Sequence, residues 1–235
     1  MNSPILQTKF ASLELTRAAV LNGPRDFIVR QTPRAEIGSD QVLIRLEGCG
    51  VCGSDLPVWE GRPWFEYPLP PGRPGHEGWG VVERVGADVT GLAAGQRVAS
   101  LGIHAYGSHD IVPANEVIAL PSSLDDQPFP AEPLACAMNA FARCEIVRGQ
   151  DVAVIGVGFL GALLIQLASH AGARVTAFSR RDFALEIATE CGAASTVRWD
   201  ESSAEAESLS ERFPRVIEAT GMPRALDLAT RLVSI

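Results

Sequence analysis

The stretch Val152–Ala168 reads VAVIGVGFLGALLIQLA and holds the pattern G-x-G-x-x-G at Gly156, Gly158 and Gly161. The pattern alone is weak. Here it follows an apolar strand, opens an apolar helix and precedes a second strand, RVTAFSR, which is the setting a dinucleotide-binding fingerprint requires. The first glycine permits the tight turn and the second lets backbone amides approach a pyrophosphate. The third allows close helix–strand packing, while the helix N-terminus favours the phosphate charge. Phe159 and Leu160, between the second and third glycines, are counted with them as cofactor-binding.

A site for NAD(H) usually ends its second strand on an acid that accepts from the ribose 2′-hydroxyl. Here that end reads AFSRRD, with Ser179 at the expected place and Arg180 and Arg181 after it. An uncharged side chain does not repel a 2′-phosphate, and guanidinium groups bind one through charge-assisted hydrogen bonds. NADP(H) is therefore expected in preference to NAD(H). Asp182 lies too far along to replace the missing acid.

Outward from the glycine loop, strands and helices alternate to the last residue. Strands DVAVIGVG, RVTAFSR, STVRW and RVIEAT lead into helices over about 160–171, 182–191, 203–212 and 223–233. Such alternation predicts an α/β fold, a doubly wound parallel sheet with helices on both faces. Upstream, from Thr16 to Pro121, short Val- and Ile-rich runs are separated by Gly, Pro, Asn and Asp, which suits a small antiparallel barrel with long loops. Glu132–Cys144 carries apolar residues at helical spacing and is read as a helix closing that barrel. The expected division is a tail over 1–14, a first domain over 15–148 and a second over 149–235.

Apolar residues make up 46% and charged residues 20%, as in a soluble globular protein. A net charge of −8 without a basic block argues against nucleic acid as a partner. No apolar run approaches the roughly 20 residues that cross a bilayer, and the start, MNSPILQTKFASLEL, lacks the look of a signal peptide. Five cysteines, an odd count, argue for a reducing compartment; the cytoplasm is expected.

Two of those cysteines stand in Glu47–Asp55, EGCGVCGSD. C-x-x-C is half of a zinc clip, a redox dithiol or a coincidence of small residues. A redox pair sits where a strand meets a helix N-terminus, whereas this setting is β-rich and full of glycine. A structural clip needs a second Cys or His pair, and none follows at similar spacing. Further on, PGHEGWGVVERVG sets His76 beside Glu77 without the second histidine of H-E-x-x-H, so a zinc-protease reading fails.

The order G-x-C-G-S-D, G-H-E-G, E-P-L-A-C-A, G-x-G-x-x-G resembles the zinc-dependent medium-chain dehydrogenases/reductases, from about Thr16 to the end of the chain. That family contains alcohol, polyol, sugar and threonine dehydrogenases, commonly homo-oligomers. The resemblance implies a GroES-like β-barrel catalytic domain followed by a Rossmann domain, with a catalytic zinc in the cleft between them. It also implies hydride transfer between a small-molecule alcohol or carbonyl and the nicotinamide. Cys52 matches the first zinc ligand and His76 the second. Ser54 matches the hydroxyl that passes the substrate proton, and Asp55 the carboxylate that orients His76. Glu77 matches a carboxylate that binds metal in some members. For the third ligand, Glu132 stands in the E-P-L setting of polyol- and glucose-type members; Cys136, one helical turn on, is the alternative and is otherwise read as core packing. Cys49 matches a small, non-ligating position.

Two departures from the family pattern stand out. The outer histidine of the proton relay is replaced by Pro57, and no four-cysteine lobe is present, so one zinc per chain is expected rather than two. His104 and His109 are read as surface residues, and His170 as complementing a helix dipole. Trp59, Trp64, Phe65 and Tyr67 either line a substrate mouth or stiffen a loop. The family continues beyond the fourth parallel strand, so a truncated Rossmann domain is expected. A rival reading is an inactive fragment that keeps zinc and adenine-nucleotide binding, takes up 2′,5′-ADP and transfers hydride poorly.

Overall fold

The computed structural model describes residues 14–200 and 204–234; the expected tail lies, apart from Glu14, outside them. By their contacts the residues form two compact units that divide between Glu132 and Pro133.

The first unit is built on an antiparallel sheet. Its strands are β3 (Gln41–Cys49), β4 (Gly78–Val85), β5 (Arg97–Ser100), β6 (His109–Pro113) and β7 (Val117–Ala119), in the order β6-β3-β4-β5-β7. A hairpin, β1 (Leu15–Gly23) with β2 (Asp26–Pro33), joins it through a bridge from Ala18 to Gly107. Val42, Ile44, Val82, Val98 and Val112 supply one core, as the β-branched composition of these runs leads one to expect. Between β3 and β4 sits a short helix, α1 (Asp55–Glu60), that the sequence reading left out. Its signals are present: Ser54 before the first turn, Asp55 within it, and Gly61 at φ +85° after the last.

Helix α2 (Ala131–Arg143) starts in the last two residues of the first unit and otherwise belongs to the second. This is the helix expected to close the barrel, yet Phe141 and Ile146 behind it pack on Val152, Val154 and their neighbours in the parallel-sheet unit. Cys136 on α2 is exposed rather than core. The parallel sheet contains β8 (Asp151–Ile155), β9 (Arg174–Ser179), β10 (Ser195–Arg198) and β11 (Arg215–Glu218), in the order β10-β9-β8-β11. Order reverses at β8, so the crevice at the carboxyl ends of β8 and β11 is a topological switch point. Helices α3 (Phe159–His170), α4 (Asp182–Glu190), α5 (Ala204–Glu207) and α6 (Pro223–Leu232) connect or follow these strands. Among them only α5 departs from expectation: it covers a single turn where 203–212 was read, and a polar turn follows it to Phe213. His170 is exposed in the last turn of α3. β8 reads as a continuous apolar run because both its faces are covered: Ala153 and Ile155 pack on one side and Val152 and Val154 on the other.

Candidate metal and nucleotide sites

β3 ends at Cys49 and the chain turns sharply, Asp55 N–H donating to the Cys52 carbonyl at 3.1 Å, before α1 begins. A second turn, Arg73–Gly75, delivers His76 and Glu77 to the start of β4. Gly50 N–H donates to the Glu77 carbonyl at 3.1 Å and locks the two turns together. A side chain at Gly50 would meet the Glu77 carboxylate and force it to shift. One ligand atom each from Cys52, His76 and Glu77 then lies within 4.8 Å of the others.

His76 Nδ1 is 2.9 Å from the Pro74 carbonyl, which can only accept, so Nδ1 carries the proton and Nε2 keeps its lone pair. Asp55, expected to orient His76, lies 3.5 Å from the same nitrogen, farther than Pro74. Its carboxylate is itself held by Cys52 N–H at 3.3 Å and by the Tyr106 hydroxyl at 2.5 Å. Burial, then the bond to Asp55, pushes the Tyr106 phenol well above its ordinary value, so it stays a donor. Neither Tyr106 nor the Pro74 carbonyl was found from the sequence: Tyr106 meets Asp55 across 51 residues, and no motif marks a backbone carbonyl as an acceptor.

Burial raises the Glu77 carboxyl above the usual range; Glu132 and Asp55 add to this, while His76 and a hydrogen bond from Cys52 oppose it. A thiol, an imidazole nitrogen and a carboxylate amid further acids form a donor set that suits zinc, with room for a fourth ligand. Cys49 stands apart. Its thiol donates to the Gly50 carbonyl at 3.1 Å, and burial pushes it up to about 11.

A cavity of about 540 Å³ opens beside this triplet, lined by Ser54, Asp55, Arg73, His76 and Glu132 on its polar side. Of the aromatic loop only Phe65 reaches it. Trp59 lies under the Arg25 guanidinium, Tyr67 donates to the Val58 carbonyl, and Trp64 is exposed. His109, expected at the surface, is instead half-buried and tied to Glu83 at 3.0 Å and to Thr16 at 3.2 Å. His104 is half-buried too, with its backbone N–H on the buried Asp110 carboxylate at 3.3 Å.

In the second unit, a cavity of about 260 Å³ lies at the switch point, lined by Gly156, Gly158, Ser179, Arg180, Arg181 and Thr220, among others. Gly156 adopts φ +95°, and a side chain at Gly161 would strike the Gly156 carbonyl. Gly158 differs: its backbone is extended and nothing lies within 4 Å of where its Cβ would stand. The protein itself does not require glycine there, whereas a close-approaching phosphate does. Ser179 ends β9, buried, its hydroxyl accepting the Arg181 N–H at 3.3 Å. Arg180 reaches the Met222 sulfur at 3.6 Å and Arg181 stacks over Phe183 at 4.8 Å. Asp182 is engaged by Arg198 at 2.5 Å. Phe159 and Leu160 are exposed on the first turn of α3 and do not line the cavity. Trp199, Thr220 and Met222 do, and were not foreseen; their strands and loops are brought there by the sheet order alone.

Two family models match the chain: an alcohol dehydrogenase GroES-like domain over residues 38–122 and a zinc-binding dehydrogenase domain over residues 160–235. L-Threonine 3-dehydrogenase of Ruegeria pomeroyi is 31% identical over 61% of this chain and 51% of its own length. The enzyme of that name from Legionella pneumophila (strain Corby) is 28% identical over 85% of this chain and 68% of its own. Curated relatives are thus matched over about half to two thirds of their length. Among solved structures, a protein of Sinorhizobium meliloti assigned as a zinc-binding dehydrogenase and bound to NADP superposes with a TM-score of 0.81 and 28% identity, covering 94% of this chain and 74% of that one. Galactitol-1-phosphate dehydrogenase of Escherichia coli gives 0.79 and 26%, covering 93% and 72%.

Proposed function

We propose, from the premise that the chain belongs to the zinc-dependent medium-chain dehydrogenase/reductase family, that it serves the reversible oxidation of an alcohol to a carbonyl with NADP(H). The observation that carries this reading is the convergence of Cys52, His76 and Glu77 within 4.8 Å beside a cavity that also holds Ser54 and Glu132. Cys52, His76 and Glu77 hold one zinc, with Glu132 as the further carboxylate that can reach it. Bound there, zinc would supply Lewis acidity toward the substrate oxygen, and the nicotinamide cofactor would supply the hydride-accepting chemistry. Ser54 takes the substrate proton. Its exposure lets that proton pass to solvent without the histidine relay that Pro57 replaces. Pro74 and Asp55 keep Nδ1 of His76 protonated, which directs Nε2 to the metal. Val58, Phe65 and Leu69 keep water from the reacting carbon.

The preference for NADP(H) is supported by the chemistry at the end of β9. Ser179 brings no charge, Asp182 is already paired, and Arg180 and Arg181 are exposed beside the cavity that Gly158 leaves open. Metal analysis together with turnover of a panel of simple alcohols, polyols and hydroxy acids, with both cofactors, tests the reading. One zinc per chain and NADP⁺-dependent oxidation of any member are expected. Metal-free protein that oxidises none of them would sink it.

A further inference from the structure

Pro70-Pro71-Gly72-Arg73-Pro74-Gly75 runs directly into His76. Gly72 adopts φ +85°, donates to the Ala19 carbonyl at 2.8 Å and accepts from Tyr106 N–H at 3.0 Å; Arg73 N–H donates to the Pro70 carbonyl at 3.1 Å. The backbone of Arg73 is therefore fixed against β1 and the 104–106 segment, within one turn of a metal ligand.

Four arginines are half-buried: Arg34, Arg73, Arg97 and Arg215. Three have anionic or carbonyl partners. Arg34 bonds Glu14 and Glu83, Arg97 bonds Glu47 and two carbonyls, and Arg215 bonds Glu145 and the Cys144 and Pro214 carbonyls. Arg73 is the exception: among the described residues its side chain has neither a hydrogen bond nor an ion pair. Apart from His76 it is also the only basic residue lining the 540 Å³ cavity, whose remaining walls include Val58, Phe65, Leu101 and Ile103. A half-buried guanidinium beside apolar walls is costly without an anion to bind. Among the described residues none pairs with it, although Asp55 and Glu132 line the same cavity, so the geometry points to the substrate.

We infer that Arg73 determines specificity, and that the alcohol handled here carries an anionic group, a carboxylate or a phosphate, which the guanidinium binds in forked, charge-assisted hydrogen bonds. This inference rests on the oxidoreductase reading above. It is tested on the zinc-loaded chain with (R)-3-hydroxybutyrate, glycerol 3-phosphate and 2,3-butanediol, which separate carboxylate, phosphate and neutral alcohols. For at least one of the two anions, kcat/KM should exceed that for 2,3-butanediol by about 10-fold or more. In Arg73→Met that ratio should fall by about 10- to 100-fold, mainly through KM, and Arg73→Lys should recover part of it. A ratio unchanged in Arg73→Met overturns the inference. Calorimetry with the same compounds and inorganic phosphate gives a second readout that needs no turnover. If no alcohol is oxidised by the wild-type chain, the oxidoreductase reading fails, while weaker anion binding in Arg73→Met than in wild type still supports the arginine's role. Equal anion binding by both refutes it.

Discussion

The two candidate sites are made from different materials. The nucleotide cavity has a backbone floor, a strand, a turn and a helix start contiguous from Asp151 to Gly161, to which Ser179–Arg181, Trp199, Thr220 and Met222 add side-chain walls. The metal triplet is made of side chains on two separate turns, and it exists only once β3 and β4 have paired and Gly50 has met Glu77. A backbone site depends on a few residues being small. A side-chain site depends on each residue being itself.

That contrast is most easily broken at Cys52. Cys52→Ala should reduce zinc from about one per chain to near zero and turnover by on the order of 10³-fold or more, since the metal would both position the substrate oxygen and act on it as a Lewis acid. Equal zinc in both proteins would show that the ligands lie elsewhere. A finer test lies in the glycine loop. Gly161→Ala should destabilise the fold by about 1–3 kcal/mol, because the new methyl meets the Gly156 carbonyl. Gly158→Ala should leave the melting temperature nearly unchanged yet weaken NADP(H) binding more than about tenfold. A large loss of stability in Gly158→Ala would mean that the protein, and not a ligand, requires that glycine.

Smaller still is the effect expected at the end of β9. One charge-assisted contact of about 1.5–3 kcal/mol amounts to roughly tenfold to a hundredfold discrimination. Ser179→Asp with Arg180→Ala should move cofactor preference toward NAD(H) by that order, read as a ratio of dissociation constants. The smallest effect concerns Cys49. Its thiol is raised from 9.0 to about 11 in the folded chain, so the unfolded chain loses its proton first. The stability this contributes is present below pH 9 and is lost as pH rises to 11. Replacing it, Cys49→Ala, should flatten the decline of the melting temperature across that window relative to wild type.

How much of this was legible from sequence follows the same division. The glycine loop, the alternation behind it and the residues Ser179–Arg181 were readable because the pattern that makes them is local. The metal residues were readable only through an ordered set of motifs resembling a family, since spacing alone left the Cys49–Cys52 pair ambiguous. The helix α1 was missed although Ser54, Asp55 and Gly61 announce it, because Pro57 reads as a breaker when it in fact sits in the first turn. Placing α2 with the first unit failed because its amphipathic pattern says that a face is buried, not which core buries it. His109 looked like surface because its partners, Thr16 and Glu83, come from other strands. Tyr106 was invisible because its partner, Asp55 in α1, is 51 residues away.

The turn at the end of β9 has a consequence for cofactor choice. Ser179 contributes one hydroxyl acceptor to the Arg181 N–H, a task that a carboxylate oxygen performs equally well. Neither the glycine loop nor the metal triplet depends on that side chain. On the proposed reading, cofactor preference can therefore be changed at this turn without touching the candidate metal site or the fold that carries both.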